Sequence, residues 1–175
     1  SAGHDLNEVR KSAKSRKKLL DLFKECSKMM LSIRYLPQPV IACVDGLAAA
    51  AGCQLVASCD LAYASTNSYF QTPGVNIGLF CSTPMVAISR KILPKDMMFM
   101  LLSGEKISAK EAEKIKLINK VFLKKSLKKE VRKIATTITK KSNQSIKIGK
   151  LAFYRQLDMN AEKAYEYTSK VMTKN

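Results

Sequence analysis

The stretch AAAAGCQLVASCD, from Ala48 to Asp60, places four alanines and Gly52 just before an apolar helical segment. Such small side chains leave the first backbone N–H groups of the helix open to close approach by a ligand. A second segment, SAGHDL, contains Gly3, which permits a tight turn with main-chain groups left available. Two backbone N–H groups that converge on one oxygen form an oxyanion hole, so the two segments together predict a backbone anion site.

Length and composition bound the class of protein. A chain of 175 residues, 46% of them hydrophobic, is long enough for one domain with a buried core. We therefore treat residues 1–175 as a single domain. No apolar run reaches the roughly 18 to 20 residues that cross a bilayer, which predicts a protein without a membrane span.

Hydrophobic periodicity predicts an α/β domain. Apolar residues recur at helical spacing between Lys11 and Tyr35, and the prolines that follow end this helix. The apolar runs VIACV, from Val40 to Val44, and LAYAS, after Asp60, predict buried strands. The alternation of strand, helix and strand is typical of an α/β arrangement.

The second half of the chain is predicted to be mostly helical. Thr83 and Pro84 have the identities of an N-cap and a first-turn proline, which predicts a helix through Ile92. Ser108 and Glu111 have the spacing of a capping box. Helices are expected from about residue 108 to the end of the chain.

The cysteines and the methionine-rich patch at residues 97–102 are interpreted as core residues. An odd number of cysteines at irregular spacing predicts neither a disulfide framework nor a zinc site. The single histidine, His4, has no neighbouring ligand set, so we expect no metal. The cysteines are Cys26, Cys43, Cys53, Cys59 and Cys81.

The formal net charge of +17 arises from 31 Lys and Arg against 14 Asp and Glu. Such a charge favours anionic partners, among them phosphorylated cofactors, nucleic acid and acidic membrane surfaces. The alternative is a solvated surface, because many lysines recur in helical patterns after Lys106. We favour the solvated surface.

Five segments together resemble the crotonase family of enoyl-CoA hydratases and isomerases. They are SAGHDL, VIACVDG, AAAAGCQLVASCD, FQTPGVNIGL and ISAKEAEKIKLINKV, in this order and spacing. The resemblance implies a crotonase-like spiral of β-β-α units with a helical C-terminal region, truncated at both ends. It implies a homotrimer or hexamer whose oligomerisation-type helices begin near residue 108. The branch of the family that this sequence most resembles is mitochondrial.

The resemblance also assigns roles to backbone groups. It implies that the N–H groups of His4 and Ala51 hold the carbonyl oxygen of a coenzyme A thioester, bound as substrate or ligand without another cofactor. Main-chain atoms of Ala2, His4 and Leu6 would hold the adenine end of coenzyme A, and the two glycines provide room. The substrate-binding residues implied in this way are Ala2, Gly3, His4, Asp5, Leu6, Ala51 and Gly52.

The acid and base groups of hydration are missing from the matching positions. Hydratases of the family use two glutamates to position water and move its protons. The resemblance places Gln54 and Gly74 at those positions, and Ser82 at the aspartate position of one isomerase subgroup. An amide hydrogen-bonds water but is no base near neutral pH, and glycine carries no proton-transfer group. We therefore expect acyl-CoA binding with weak or lost hydratase activity.

Other residues with reactive side chains are interpreted structurally. Asp60 resembles a family aspartate that organises the fold. Cys81 has no activating base, and Tyr69 and Tyr154 are assigned to packing because a tyrosine pKa near 10 is far from neutrality. Lys116 replaces a family glycine at a left-handed helix end, which costs on the order of 1 kcal/mol.

The sequence leaves three alternative functions open. The first is an enoyl-CoA hydratase/isomerase-like protein of mitochondrial lipid metabolism that binds acyl-CoA. The second is a noncatalytic acyl-CoA-binding or assembly partner of related trimers. The third is RNA binding through the lysine-rich helices, which we hold to be the weakest because the chain has only 7% aromatic residues and no RNA-recognition motif.

Overall fold

Helices alternate with short strands along the chain. The computed structural model describes residues 1–174. The helices are α1 (Leu6–Ser12), α2 (Arg16–Tyr35), α3 (Ala51–Ser58), α4 (Ser82–Ile88), α5 (Pro94–Ser103), α6 (Ala109–Lys114), α7 (Lys124–Thr139), α8 (Asn143–Gln156) and α9 (Ala161–Met172). The strands are β1 (Ile41–Val44), β2 (Leu47–Ala49), β3 (Leu61–Ser65), β4 (Tyr69–Gln71), β5 (Ile107–Ser108) and β6 (Lys120–Phe122), and Pro73–Ile77 forms a 3₁₀ helix.

The strands form two small sheets, and the first four strands of the chain alternate between them. In one sheet β1, β3 and β6 pair in parallel, with Ile41 opposite Leu61. In the other, β2 is parallel to β4 and β4 is antiparallel to β5. The successive units β1-β2-α3 and β3-β4-α4 therefore each place one strand in either sheet before a helix. This repetition agrees with the spiral of β-β-α units expected from the sequence.

The two apolar runs of the first half form strands as predicted. β3 spans LAYAS, and β1 begins one residue after Val40. The helix predicted from Lys11 to Tyr35 is wrong at its start, because two helices occupy this region. The Oγ of Ser15 accepts a hydrogen bond from the backbone N of Lys18, and this new N-cap starts α2 at Arg16.

The start of α4 differs from the sequence prediction. Thr83 is not the N-cap, since α4 begins at Ser82 after Cys81 and ends at Ile88, four residues before the predicted end. Pro84 remains in the first turn, where its missing N–H removes no helical hydrogen bond. The predicted cap at Ser108 is confirmed, because its Oγ accepts from the backbone N of Glu111 at 3.2 Å.

Only one face of α5, the helix that contains the methionine-rich patch, lies in the core. Neighbouring side chains on a helix point in different directions, so α5 buries only part of the patch. The core prediction is therefore correct for one face and wrong for the other. Buried residues are Met97, Met100 and Leu101, whereas Met98, Phe99 and Leu102 are exposed.

The cysteine prediction is correct for three residues. Cys53, Cys59 and Cys81 are buried, Cys26 is half-buried, and all five thiols are free. Cys43 is exposed, which corrects the prediction. Side chains alternate between the two faces of a strand, and Cys43 lies on the outward face of β1.

The chain after Ser108 is mostly helical, as predicted. The lysines of α7 are exposed, which agrees with a solvated helix face. Across residues 1–174, no helix combines the length and the apolar character that a membrane crossing requires.

Candidate functional site

Ser1 lies against the edge of β2. The backbone N of Ser1 donates to the carbonyl of Leu47 at 2.8 Å, and its carbonyl accepts from the N–H of Ala49 at 2.8 Å. Gly3 has a φ of +95°, and a Cβ there would lie 3.1 Å from the backbone N of Ala51. Because Gly3 has no side chain, the main chain at this residue can lie close against the start of α3.

The turn into α3 has an unusual backbone conformation. Ala50 has φ 48° and ψ -119°, a region that costs a residue with a side chain about 1–3 kcal/mol. Its N–H donates to the carbonyl of Gln71 at 3.0 Å, and its carbonyl accepts from the N–H of Gln54 at 3.0 Å. Within residues 1–174, the backbone N–H groups of His4 and Ala51 have no acceptor. Both predicted oxyanion donors are therefore available.

Two further contacts hold the N-terminal segment in place. A Cβ at Gly52 would lie 2.9 Å from the Cβ of Ser1 and 3.0 Å from its carbonyl carbon, so only glycine permits this approach. The ring of His4 packs edge-on against Phe23 of α2, with 5.5 Å between the ring centroids. The segment is thus fixed between α2 and α3.

The solvent side of the same segment is open. Ala2, Asp5 and Leu6 are exposed, and the carboxylate of Asp5 accepts from the backbone N of Asn7 at 2.8 Å to cap α1. Of the residues predicted for the adenine end of coenzyme A, Ala2 and Leu6 are thus exposed and His4 is half-buried.

Gln54 lies one turn into α3, on the face that begins at Ala51, because residues three apart share a helix face. Gln54 is 4% exposed, and its Oε1 has no hydrogen-bond partner in the described part of the chain. This carboxamide can hydrogen-bond a ligand but cannot act as a general base near neutral pH.

A cavity of about 450 Å³ begins at Gln54 and lies between α2, α3, α4 and α8. Its middle is formed by apolar and small side chains, among them Met30, Ala57 and Ala87. The part farthest along α2 carries Arg34, Asp158, Lys91 and Tyr154. An apolar cavity with a few polar groups is typical of a small-molecule site.

Gly74 does not line this cavity. Its N–H donates to the Sγ of Cys81 at 3.3 Å, and a Cβ at Gly74 would lie 3.0 Å from that sulfur and from the carbonyl oxygen of Leu79. Any side chain at Gly74 would require this loop to move. Burial raises the pKa of the Cys81 thiol against the smaller opposing effect of the Gly74 hydrogen bond, which disfavours a nucleophilic thiolate.

The structural interpretation of Asp60 is confirmed. Its carboxylate accepts from the N–H of Val40 at 2.6 Å, from Lys150 at 2.8 Å and from the hydroxyl of Tyr154 at 2.8 Å. It therefore joins the loop before β1 to α8. Burial and the hydrogen bond to Asp60 raise the pKa of Tyr154, which makes this hydroxyl a structural donor rather than a base.

The remaining predicted special positions lie away from the cavity. Tyr69 is exposed on β4. Lys116 has a φ of 69°, which confirms the left-handed conformation expected there.

The polar end of the cavity escaped the sequence prediction. Arg34 and Lys91 are separated in the chain, and neither belongs to a recognisable motif. The only local signal is the spacing of Ser27, Met30 and Arg34, which places them on one face of α2.

Comparison with known proteins identifies the family. The family model for enoyl-CoA hydratase/isomerase matches residues 1–175. Human enoyl-CoA hydratase domain-containing protein 3, mitochondrial, is 49% identical over 175 residues, which cover all of this chain and 57% of that protein. The crotonyl-CoA hydratase of Syntrophomonas wolfei is 32% identical over 140 residues, covering 78% of this chain and 53% of that protein.

A solved structure shares the fold. The enoyl-CoA hydratase of Mycobacterium smegmatis superposes with a TM-score of 0.96 at 45% identity, covering 98% of this chain and 66% of that one. The chain thus spans 53–66% of the length of the relatives named above, and it shares the crotonase fold of the superposed structure. From these matches and the β-β-α spiral, the chain belongs to the enoyl-CoA hydratase/isomerase family.

Proposed function

We propose that this chain binds an acyl-CoA thioester, with the carbonyl oxygen between the backbone N–H groups of His4 and Ala51. The observation that carries the proposal is the approach of the N-terminal segment to the start of α3, where both donors lack an acceptor. The positive end of the α3 dipole favours charge on that oxygen. The cavity that begins at Gln54 takes the acyl chain.

In this proposal the adenine end of coenzyme A contacts the main chain of Ala2, His4 and Leu6, in the segment that includes Gly3 and Asp5. The exposed side of that segment supports this arrangement. The net charge of +17 attracts the phosphates of coenzyme A from solution.

In this proposal the bound thioester is hydrated slowly or not at all. Polarisation of the thioester carbonyl contributes about 10² to 10³ in rate per donor, whereas general acid–base groups contribute about 10² to 10⁴. The carboxamide of Gln54 and the enclosed backbone of Gly74 supply no such group. The only carboxylate in the cavity lining, among the described residues, is Asp158, which is ion-paired with Arg34.

The proposed setting is mitochondrial fatty-acid or lipid metabolism, in a homotrimer or hexamer that uses no cofactor besides the thioester. The mitochondrial name of relatives with 47–49% identity supports the location. Exposed apolar side chains at Ile77, Leu79 and Phe80 are available to an assembly contact.

Calorimetric titration of a nonhydrolysable acyl-CoA analogue into the full-length protein tests the site. Ala51→Pro removes one proposed donor at the first position of α3. Ala161→Pro makes the same change at the first position of α9, far from the site. We expect binding by the wild type and by Ala161→Pro, and loss of binding in Ala51→Pro.

A second pair of variants tests the same site without depending on whether Ala51→Pro folds. Gly3→Ala places a methyl group 3.1 Å from the backbone N of Ala51, whereas Gly149→Ala meets open space in α8. Loss of binding in Gly3→Ala alone supports the proposed site. No binding by folded wild type would reject the proposal, and binding without turnover of crotonyl-CoA would favour a noncatalytic acyl-CoA-binding role.

A further inference from the structure

The cavity has two chemically different ends. Along α2, Phe23 packs against the histidine of the proposed thioester end, and Ser27 and Arg34 line the cavity farther on. Along α3, Gln54 and Ser58 line it in the same order. Ser27 and Arg34 are seven residues apart in α2, which corresponds to about 10 Å along the helix axis.

Two cations meet at the far end around the ring of Tyr154. The Cζ of Arg34 lies 5.1 Å from the ring centroid, and the Nζ of Lys91 lies 5.7 Å from it. Burial lowers the pKa of Lys91, and the nearby charge of Asp60 opposes this effect. Lys91 is half-buried where it borders the cavity.

The acidic side chains nearby are already engaged. Asp158 pairs with Arg34 at 2.7 Å, and Asp60 pairs with Lys150 at 2.8 Å. In contrast, the ammonium group of Lys91 has no ion pair or hydrogen bond within residues 1–174, and the buried Nε of Arg34 has no partner there. The far end therefore holds the ammonium group of Lys91 and the Nε–H donor of Arg34, and neither group has a partner among the described residues.

We propose that the acyl group bound in this cavity ends in a carboxylate, so that the ligand is the mono-CoA thioester of a short dicarboxylic acid. The proposal rests on the proposed thioester site. The terminal carboxylate lies beside Lys91 and Arg34, where charge-assisted hydrogen bonds are stronger than neutral ones. A methyl-ended chain would instead cover these groups with hydrocarbon and leave them unpaired.

Two nonhydrolysable analogues of similar chain length that retain the acyl carbonyl group, those of glutaryl-CoA and of hexanoyl-CoA, test the inference by calorimetry on the full-length protein. Because a hydrogen bond to a charged group contributes at least about tenfold in affinity, we expect the carboxylate-ended analogue to bind about tenfold tighter or more. Lys91→Met removes most of this preference by weakening the binding of the carboxylate-ended analogue about tenfold. Lys91→Arg keeps the preference, and the exposed Lys95→Met has no effect.

The outcomes separate this inference from the proposal on which it rests. Equal binding of both analogues by wild type, or an unchanged preference in Lys91→Met, would overturn the carboxylate assignment while leaving the thioester site intact. Binding of neither analogue by folded wild type would reject the thioester site itself. A preference that falls in Lys91→Met and persists in Lys95→Met supports the assignment.

Discussion

Replacing Lys150 by methionine removes the buried counter-ion of Asp60. The Nζ of Lys150 donates to the Asp60 carboxylate at 2.8 Å, to the carbonyl of Ile33 at 3.0 Å and to the carbonyl of Gln38 at 2.8 Å. All three N–H groups are therefore used. The side chain of Lys150 is 7% exposed and that of Asp60 is 15% exposed, so solvent screens their attraction poorly.

Loss of one partner from a buried ion pair costs about 3–5 kcal/mol. Asp60 retains the N–H of Val40 and the hydroxyl of Tyr154, so we expect Lys150→Met to lower the free energy of unfolding by about 3 kcal/mol, at the lower end of that range. The matched control is Lys170→Met, which breaks a fully exposed pair with Glu166. Solvent screening predicts no measurable loss there.

Urea unfolding of the full-length wild type and both variants, followed by circular dichroism at one protein concentration, measures the two losses. The slope of free energy against urea should be the same for all three, because the exposed surface does not change. A loss in Lys150→Met no larger than that in Lys170→Met would refute the argument that burial makes this ion pair strong.

Three further predictions concern the site, the backbone and the thiols. Gly52→Ala should abolish acyl-CoA binding by displacing the N-terminal segment, while Gly149→Ala keeps it; calorimetry distinguishes them, and binding by Gly52→Ala would contradict the close approach. Lys116→Gly should raise the free energy of unfolding by about 1 kcal/mol in urea titrations, because glycine adopts the left-handed conformation without strain. Iodoacetamide should alkylate Cys43 before Cys53, as peptide mass spectrometry can show, because burial raises the pKa of Cys53 to about 12. That raised pKa also means that the stabilising effect of the neutral Cys53 thiol is present below pH 9 and is lost as the pH rises toward about 12.

Local patterns predicted the elements whose signals lie within a few residues. The run LAYAS matches β3, and Ser108 caps α6 as its spacing indicated. The break between α1 and α2 escaped prediction because the polar run from Lys14 to Lys18 contains no apolar residue whose spacing could mark the start of a new helix. Ala48 and Ala49 lie in β2, since pairing with β4 outweighs the helix propensity of alanine.

The sequence also predicted only part of the candidate site. The small residues around Ala51 and the glycine at position 3 predicted a backbone site, and the family resemblance identified the missing acids at Gln54 and Gly74. The sulfur of Cys81 beside Gly74 could not be predicted, because the contact depends on how the loop before α4 folds back.

The sequence alone determined most of the helical and strand segments, the family and the absence of carboxylates at two positions, because these properties depend on residue identity and short-range spacing. Only the tertiary structure decided that the N-terminal segment meets the start of α3 and that Arg34 and Lys91 face one cavity. Those contacts depend on the packing of helices far apart in the chain, and no local pattern encodes the distance between two such side chains.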